Sequence, residues 1–317
     1  MRNLESTPWF ICNKEDTNYC VYVDTDSNYY NAEPLLRHQH PNFDEMSEGE
    51  RDESLEKIAL RYQELITDSY NKLAFEAFNI PLPEINEKPN HKFDMKTECM
   101  IRAGYFRAPR RYAQWITKKE GVSTDDLDIK GLEFMKANFP KIFSDFFKDV
   151  LKKVIKGTPQ KEIDEMLKSF RSKVLADDMD LTVLGNPTRV KTLDKYLASI
   201  PRPGEMFSII AQGAPAPVKA AIKYNDLLTF WKLDKQHSKI TQGDKIKWIY
   251  LKDNPYRIDA LAFLDFDMPD KIRTLLAQYA DKNKSFETIL ESKLAGFYND
   301  LGWDLNMNPY RNMFFNF

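Results

Sequence analysis

Cysteine is scarce. Cys12, Cys20 and Cys99 are the only three in 317 residues, and their spacing builds neither a disulfide framework nor a zinc site. Glycine numbers 11, about half of ordinary usage, so a glycine-rich nucleotide cradle is not expected. No apolar run approaches the ~18 residues of a membrane-spanning helix, and no charged-then-apolar leader opens the chain. The expectation is therefore a reduced, soluble, intracellular protein that neither spans a membrane nor is secreted. Neither sign of charge dominates: 46 Lys plus Arg stand against 48 Asp plus Glu, for a net charge of −2. Affinity for nucleic acid, if present, has to come from local basic clusters rather than bulk charge.

What the chain does have is core material. Hydrophobic residues make up 42% and aromatics 13%, which suffices for two ordinary domains or one large one. Asn18 to Tyr30 reads as two short β-runs, Cys20 to Val23 and Asn28 to Tyr30, around an Asp24 to Ser27 corner. Glu33 to Glu53 reads as a polar loop in which Ser47 and Glu50 have capping-box spacing. A long helix follows, because Leu55, Ile58, Ala59, Tyr62, Leu65, Ile66, Leu73 and Phe78 recur at three and four. It should stop before Pro81, since proline excludes its predecessor from the α conformation. Phe93 to Trp115 looks extended, as further strands of the same sheet.

The character changes near Asp125. Phe143, Phe146, Phe147, Val150 and Leu151 form an apolar helical stripe, and Thr158-Pro159 should cap and start the next helix, with Ile163 and Leu167. Lys245 to Lys252 and Arg257 to Phe263 read as strands, and Pro269 to Ala280 and Ser285 to Leu301 as helices. The expected fold class is α+β, with a β-containing unit over residues 1–125 and a mostly helical unit over 126–317.

Four features carry possible chemistry. Asp24-Thr25-Asp26-Ser27 sets two carboxylates at a hairpin corner. Such hard oxygens suit Mg²⁺, which takes one or two carboxylates plus substrate phosphates; a β-turn whose Asp and Ser bond their own backbone explains the same residues. Arg102, Arg107, Arg110, Arg111, Lys118 and Lys119 cluster without an acid between Met100 and Lys119, and Tyr105, Phe106, Tyr112 and Trp115 interleave. That pattern fits contact with a duplex backbone, or a solvated basic edge. Lys130-Gly131 can bring charge and main chain to a phosphate, or simply lead into a helix. The terminal Met313-Phe314-Phe315-Asn316-Phe317 is aromatic where chain ends are usually polar, so it packs on its own domain or docks in a partner. His38-Gln39-His40, His91 and His237 lack further ligands or a nucleophile at a recognisable spacing.

Taken in order, VYVDTDSNYY, APRRYA and DIKGLE resemble the C-terminal part of family B DNA polymerases, and are most similar to those of T-even-like phages. KYNDLLTFWKL, GDKIKWIYLKDNPYRIDALAF and the terminal MFFNF look like successive thumb segments, so the likeness runs over nearly the whole chain. The resemblance implies that 1–125 is the C-terminal portion of a palm with its DTDS hairpin. It makes 126–317 a thumb ending in a clamp-binding tail. Asp24 and Asp26 would be catalytic and hold two Mg²⁺ ions, with Mn²⁺ an alternative, and Thr25 and Ser27 would support the hairpin. Arg110, Arg111 and Tyr112 match the motif that contacts the primer–template minor groove, with Pro109 and Arg110 standing where lysines are usual; a lysine-to-arginine change keeps charge and alters geometry. Val23 stands where glycine is common. Lys130 and Gly131 match the step that touches the primer strand, and Phe314, Phe315 and Phe317 would anchor in a sliding clamp.

The family's first palm motif, its fingers helix and its exonuclease domain are not found in these residues. The expectation is thus a DNA-directed DNA polymerase subunit, a nucleotidyltransferase in DNA replication that is inactive alone. Its partners would be primer–template DNA, a deoxynucleoside triphosphate, a sliding clamp and a separate chain carrying the N-terminal half, in the cytoplasm of a phage-infected bacterium. The alternative is a non-catalytic module that binds duplex DNA and tethers to a clamp.

Overall fold

The computed structural model describes residues 20–24, 27–79 and 93–305. The chain is α+β with small antiparallel sheets and divides into two compact units, the first ending at Lys130 and the second beginning at Gly131. The expected boundary at 125/126 falls inside a strand, because the β-run that pairs with the central strand of its sheet continues to Lys130. Among the described residues no helix is long and apolar enough to cross a membrane.

In the first unit β1 (Cys20–Val23) and β2 (Asn28–Tyr30) form an antiparallel hairpin. The supposed polar loop is largely helical: α1 (Glu33–Gln39) and a 3₁₀ turn (Phe43–Glu45) fold because Leu35, Leu36 and Phe43 bury themselves against Ile58. α2 (Glu48–Phe78) starts at a capping box in which Ser47 and Glu50 satisfy each other's backbone N–H groups, worth about 1 kcal/mol. It ends at Asn79, which adopts the left-handed conformation (φ 54°). β3 (Cys99–Ala108), β4 (Arg111–Lys119) and β5 (Val122–Lys130) make a three-stranded antiparallel sheet in the order β3-β4-β5. This sheet is hydrogen-bonded separately from the hairpin, not continuous with it as expected; four-residue β1 and three-residue β2 pair only with each other.

A polar ladder ties α2 to the extended segment that leads into β3. Thr97 N–H donates to Gln63 Oε1 at 2.9 Å, Met95 N–H to Thr67 Oγ1 at 3.0 Å, and Phe93 N–H to Asn71 Oδ1 at 3.2 Å. The helix offers every fourth residue and the extended chain every second. Four helical residues rise about 6 Å and two extended residues about 6.6 Å, so the two periods stay in step over three rungs. Ion pairs add to it, Arg102 reaching Glu48 and Asp52 and Lys118 reaching Glu56.

The second unit opens with two helices, α3 (Lys141–Ile155) and α4 (Gln160–Leu175). Phe143, Phe146, Phe147, Val150 and Leu151 are buried as their periodicity predicts, and Phe146 stacks on Phe170 with centroids 3.9 Å apart. Pro159 is the N-cap of α4 and no side chain caps it, so Thr158 does not play the expected part. Short elements follow: α5 (Leu181–Leu184), β6 (Asn186–Arg189), α6 (Leu193–Tyr196), β7 (Leu197–Ser199) and β8 (Ile209–Ile210). Next come α7 (Ala216–Phe230), β9 (Lys245–Tyr250), β10 (Ala260–Phe263) and α8 (Asp270–Tyr279). The sheet order is β10-β9-β6, and fully buried β10 packs on α7. α9 (Lys282–Phe286), a π-helical turn (Glu287–Glu291) and α10 (Ser292–Asp300) run on as one interrupted helix. Asp267 clamps the loop after α7: its carboxylate accepts from Ser238 N–H and pairs with His237 Nδ1, each at 2.6 Å.

Two outcomes follow. Thr67 is buried, so Thr67→Val keeps the shape but strands the Met95 N–H; urea unfolding should show a loss of about 1–3 kcal/mol, and an unchanged midpoint would mean that the rung is not made. The Asp267 carboxyl is held below the usual carboxylate range, first by the Ser238 backbone N–H and then by His237. A depressed folded value gives stability that is present above the ordinary carboxylate pKa of about 4 and is lost as pH falls through the folded value. The stability gap between wild type and Asp267→Asn should therefore be full near neutrality and close only on acidification below about pH 4.

Candidate functional site

The hairpin meets the sheet through aromatic rings. Tyr22 of β1 and Tyr29 of β2 lie on the face of β3 and β4 that carries Phe106 and Tyr112, with ring centroids 5.4 to 6.3 Å apart across the four. Such pairs contribute about 0.5–1.5 kcal/mol each beyond their buried area. Gly104 makes room for this, because a Cβ there would meet the Phe106 ring at 2.6 Å. The Tyr29 and Tyr112 hydroxyls are 3.4 Å apart, and burial, then the Tyr112 hydroxyl, pushes the Tyr29 hydroxyl far above its ordinary pKa.

At the hairpin corner the Asp24 N–H donates to the Ser27 carbonyl at 2.9 Å. Thr25 and Asp26 lie outside the described residues. The Asp24 carboxylate is gripped from the β3–β4 turn. Arg110 Nη2 donates to Oδ1 at 3.1 Å and Nε to Oδ2 at 3.3 Å, while the Tyr22 hydroxyl donates to Oδ2 at 3.1 Å and accepts from Arg110 N–H at 3.1 Å. Arg110 sits at φ 59°, the second residue of a two-residue Pro109-Arg110 turn between paired Ala108 and Arg111. Its guanidinium, 76% exposed, has its pKa raised chiefly by the hydrogen bonds to Asp24.

Below the corner lies a cavity of about 560 Å³. One wall is a face of the sheet: cross-strand pairs Tyr112 with Lys130, Gln114 with Asp128 and Ile116 with Asp126 all line it. Asp24, Ser27, Arg110 and the Tyr22 and Tyr29 side chains close the hairpin side, and Glu98, Cys99 and Lys119 the remaining edge. Lys130 stands 3.7 Å from Asp128, whose charge raises its pKa, and 6.0 Å from the centre of the Tyr112 ring. Burial raises the pKa of the Cys99 thiol. Gly131, which follows Lys130 directly, has φ 65°.

Of the residues singled out from sequence, Asp24, Ser27, Arg110, Tyr112 and Lys130 meet around this one cavity. Arg111 is exposed beside it at the start of β4. Tyr112 is only 5% exposed, its ring inside the aromatic cluster. Arg102 and Lys118 leave the basic cluster for the acidic side of α2. Phe314, Phe315 and Phe317 lie outside the described residues. Sequence reasoning passed over Tyr22, Tyr29, Gln114, Glu98 and Asp126; period-two alternation over 112–116 and 126–130 was the signal that puts the sheet residues on one face. Among the described residues no group of three or more His, Cys, Asp or Glu is set to hold a metal.

No protein-family model matches this chain, and no curated protein matches it in sequence.

The Tyr22 hydroxyl links Asp24 to the Arg110 backbone, so Tyr22→Phe should keep the ring packing and release the corner. Amide exchange at Asp24 and Arg110, followed by NMR, should quicken by about 10-fold, the equivalent of one net hydrogen bond. Unchanged protection would show that the rings alone fix the hairpin.

Proposed function

We propose that this chain is the C-terminal part of a DNA-directed DNA polymerase of family B, comprising part of the palm and the thumb, and works with a separate chain that supplies the rest. The observation that carries this reading is convergence. Asp24, Arg110 with Tyr112, and Lys130, drawn from three motifs of the resemblance, line one cavity, the first of them brought there across more than eighty residues of chain.

The residues present fit the metal the reaction needs. Asp24 supplies hard carboxylate oxygens at a corner over the cavity, and Mg²⁺ requires only one or two such ligands besides substrate and water oxygens. Asp24 and Asp26 would hold the ions, joined by a carboxylate of the partner chain. Ions held there would supply Lewis acidity, lowering the pKa of a primer 3′-hydroxyl and offsetting charge on the leaving pyrophosphate. Arg110 has to release Asp24 first, and a phosphate offers its guanidinium an equally good bidentate acceptor. Arg110, Arg111 and Lys130 then neutralise backbone phosphates, with the Tyr112 hydroxyl and the turn at Gly131 beside the primer strand. Such contacts position duplex without reading sequence. The aromatic tail with Phe314, Phe315 and Phe317 would tether the assembly to a sliding clamp.

One observation favours a second reading, a duplex-binding and clamp-tethering module without catalysis: both Asp24 oxygens are already engaged by Arg110. Primer extension separates the two. With Mg²⁺ and deoxynucleotides, this chain alone should be silent and should synthesise on mixing with an upstream chain that carries the first palm motif. Asp26→Ala should then abolish synthesis while duplex affinity stays within a few-fold, and Arg111→Ala should lower the salt dependence of binding by about one phosphate contact. Silence both without and with the upstream chain, duplex binding being intact, would leave the tethering module; synthesis by Asp26→Ala would remove that residue from the chemistry.

A further inference from the structure

Resting on the roles that the polymerase reading gives them, we propose that Asp24 and Arg110 form one gated site at the hairpin corner. A divalent cation on the carboxylate and a phosphate on the guanidinium bind there with positive cooperativity. Both oxygens of Asp24 are engaged by Arg110, Oδ1 by Nη2 at 3.1 Å and Oδ2 by Nε at 3.3 Å. A cation that takes the carboxylate has to displace the guanidinium. A phosphate that takes the guanidinium fork has to displace the carboxylate. Both ligands therefore require the same bidentate pair to open, and the one that binds second finds it open already.

The pair is placed to open without disturbing its surroundings. The Tyr22 hydroxyl donates to Asp24 Oδ2 and accepts from Arg110 N–H, each at 3.1 Å. It thus holds the carboxylate and the backbone of the turn without help from the guanidinium. Arg110 sits at φ 59°, a left-handed conformation that a non-glycine residue adopts only at a cost, and its N–H bond to Tyr22 helps to keep it there. The Arg110 side chain is 76% exposed and that of Asp24 32%, so the swing of one surface side chain separates the two charges. An exposed ion pair holds with an advantage of about 2–5-fold, and that sets the size of the coupling. The coupling is reciprocal: the cation tightens the phosphate by the factor by which the phosphate tightens the cation. The ligand recognised is a divalent cation together with a phosphodiester, and either one alone meets the closed pair.

The test uses the full-length ¹⁵N-labelled chain by itself at constant ionic strength, with Mg²⁺ and a thymidine tetranucleotide lacking a terminal phosphate as probes. NMR follows the Asp24 and Arg110 backbone amides and the Arg110 Nε–H, so no synthesis is needed. Saturating tetranucleotide should tighten Mg²⁺ binding about 2–5-fold, and its uncharged methylphosphonate analogue should not. Arg110→Gln should bind Mg²⁺ tighter by the same factor without tetranucleotide and gain nothing further from it. Arg111→Gln, which removes an equal charge one residue on, should keep the full coupling at saturation. Asp24→Asn should bind the tetranucleotide about 2–5-fold tighter than wild type, a readout that serves if Arg110→Gln does not fold. Equal Mg²⁺ affinity with and without tetranucleotide in the wild type overturns the proposal and leaves the polymerase reading to primer extension. Coupling that survives in Arg110→Gln also overturns it, because cation and phosphate then attract each other directly. Binding of neither ligand overturns it and removes the corner from the polymerase reading as well.

Discussion

A two-stranded hairpin is marginal in water, and β1 and β2 contribute only four and three strand residues, so the position of Asp24 depends on what holds those strands down. Four aromatic rings do most of it. Tyr22 and Tyr29 point the same way from paired strands because Tyr22 faces Tyr29 across the ladder, and both find Phe106 and Tyr112 on neighbouring strands of the sheet. At about 0.5–1.5 kcal/mol for each ring pair, the cluster exceeds what the hairpin's own backbone bonds supply net of water. Three of the four, Tyr22, Tyr29 and Tyr112, also line the cavity. The packing that fixes the corner therefore also decides what lies beneath it.

Charge in this unit is arranged in two layers. The acidic first half of α2 takes Arg102 and Lys118 out of the basic cluster, which fixes the helix against the sheet and uses up cations that sequence alone would assign to a ligand. What remains near the cavity is smaller and more mixed: Arg110 on Asp24, Lys130 beside Asp128, Lys119 at the far edge, and exposed Arg111. Arg102 and Lys118 are met by acids of α2, while the β3–β4 turn, the end of β4 and the end of β5 present Arg110, Lys119 and Lys130 at the cavity.

How much of this the sequence discloses depends on the range of the interaction involved. The hairpin strands, the capping box at Ser47, the end of α2 before Pro81 and the buried stripe of α3 all rest on contacts within a few residues or on simple periodicity, and they are legible. α1 was not, since Leu35 and Leu36 become helical by burying against Ile58, more than twenty residues on. Of the three-stranded sheet only Phe93 to Trp115 reads as extended, and as part of the hairpin's own sheet; β5 is missed because its three aspartates break the apolar alternation. Asp24, Arg110 and Lys130 were recognisable as types and by motif. That Asp24 and Arg110 pair with each other is a tertiary fact, set by a turn 86 residues away.

Gln114 is where local rules and global structure part most clearly. A central strand covered on one face should place apolar side chains there, and β4 does so with Tyr112 and Ile116. Between them stands an amide whose oxygen is left empty, flanked on β5 by two carboxylates where alternation calls for apolar partners. Leucine or methionine at this position would strand no acceptor but would give up the bond to Asp128. Chains that are otherwise locally consistent break their own pattern chiefly at functional positions. Here the exception coincides with the one cavity on which Asp24, Arg110 and Lys130 converge. The polarity of that sheet face is partly the sheet's own cross-strand pairing, since Gln114 donates to Asp128 and Lys130 stands beside the same carboxylate.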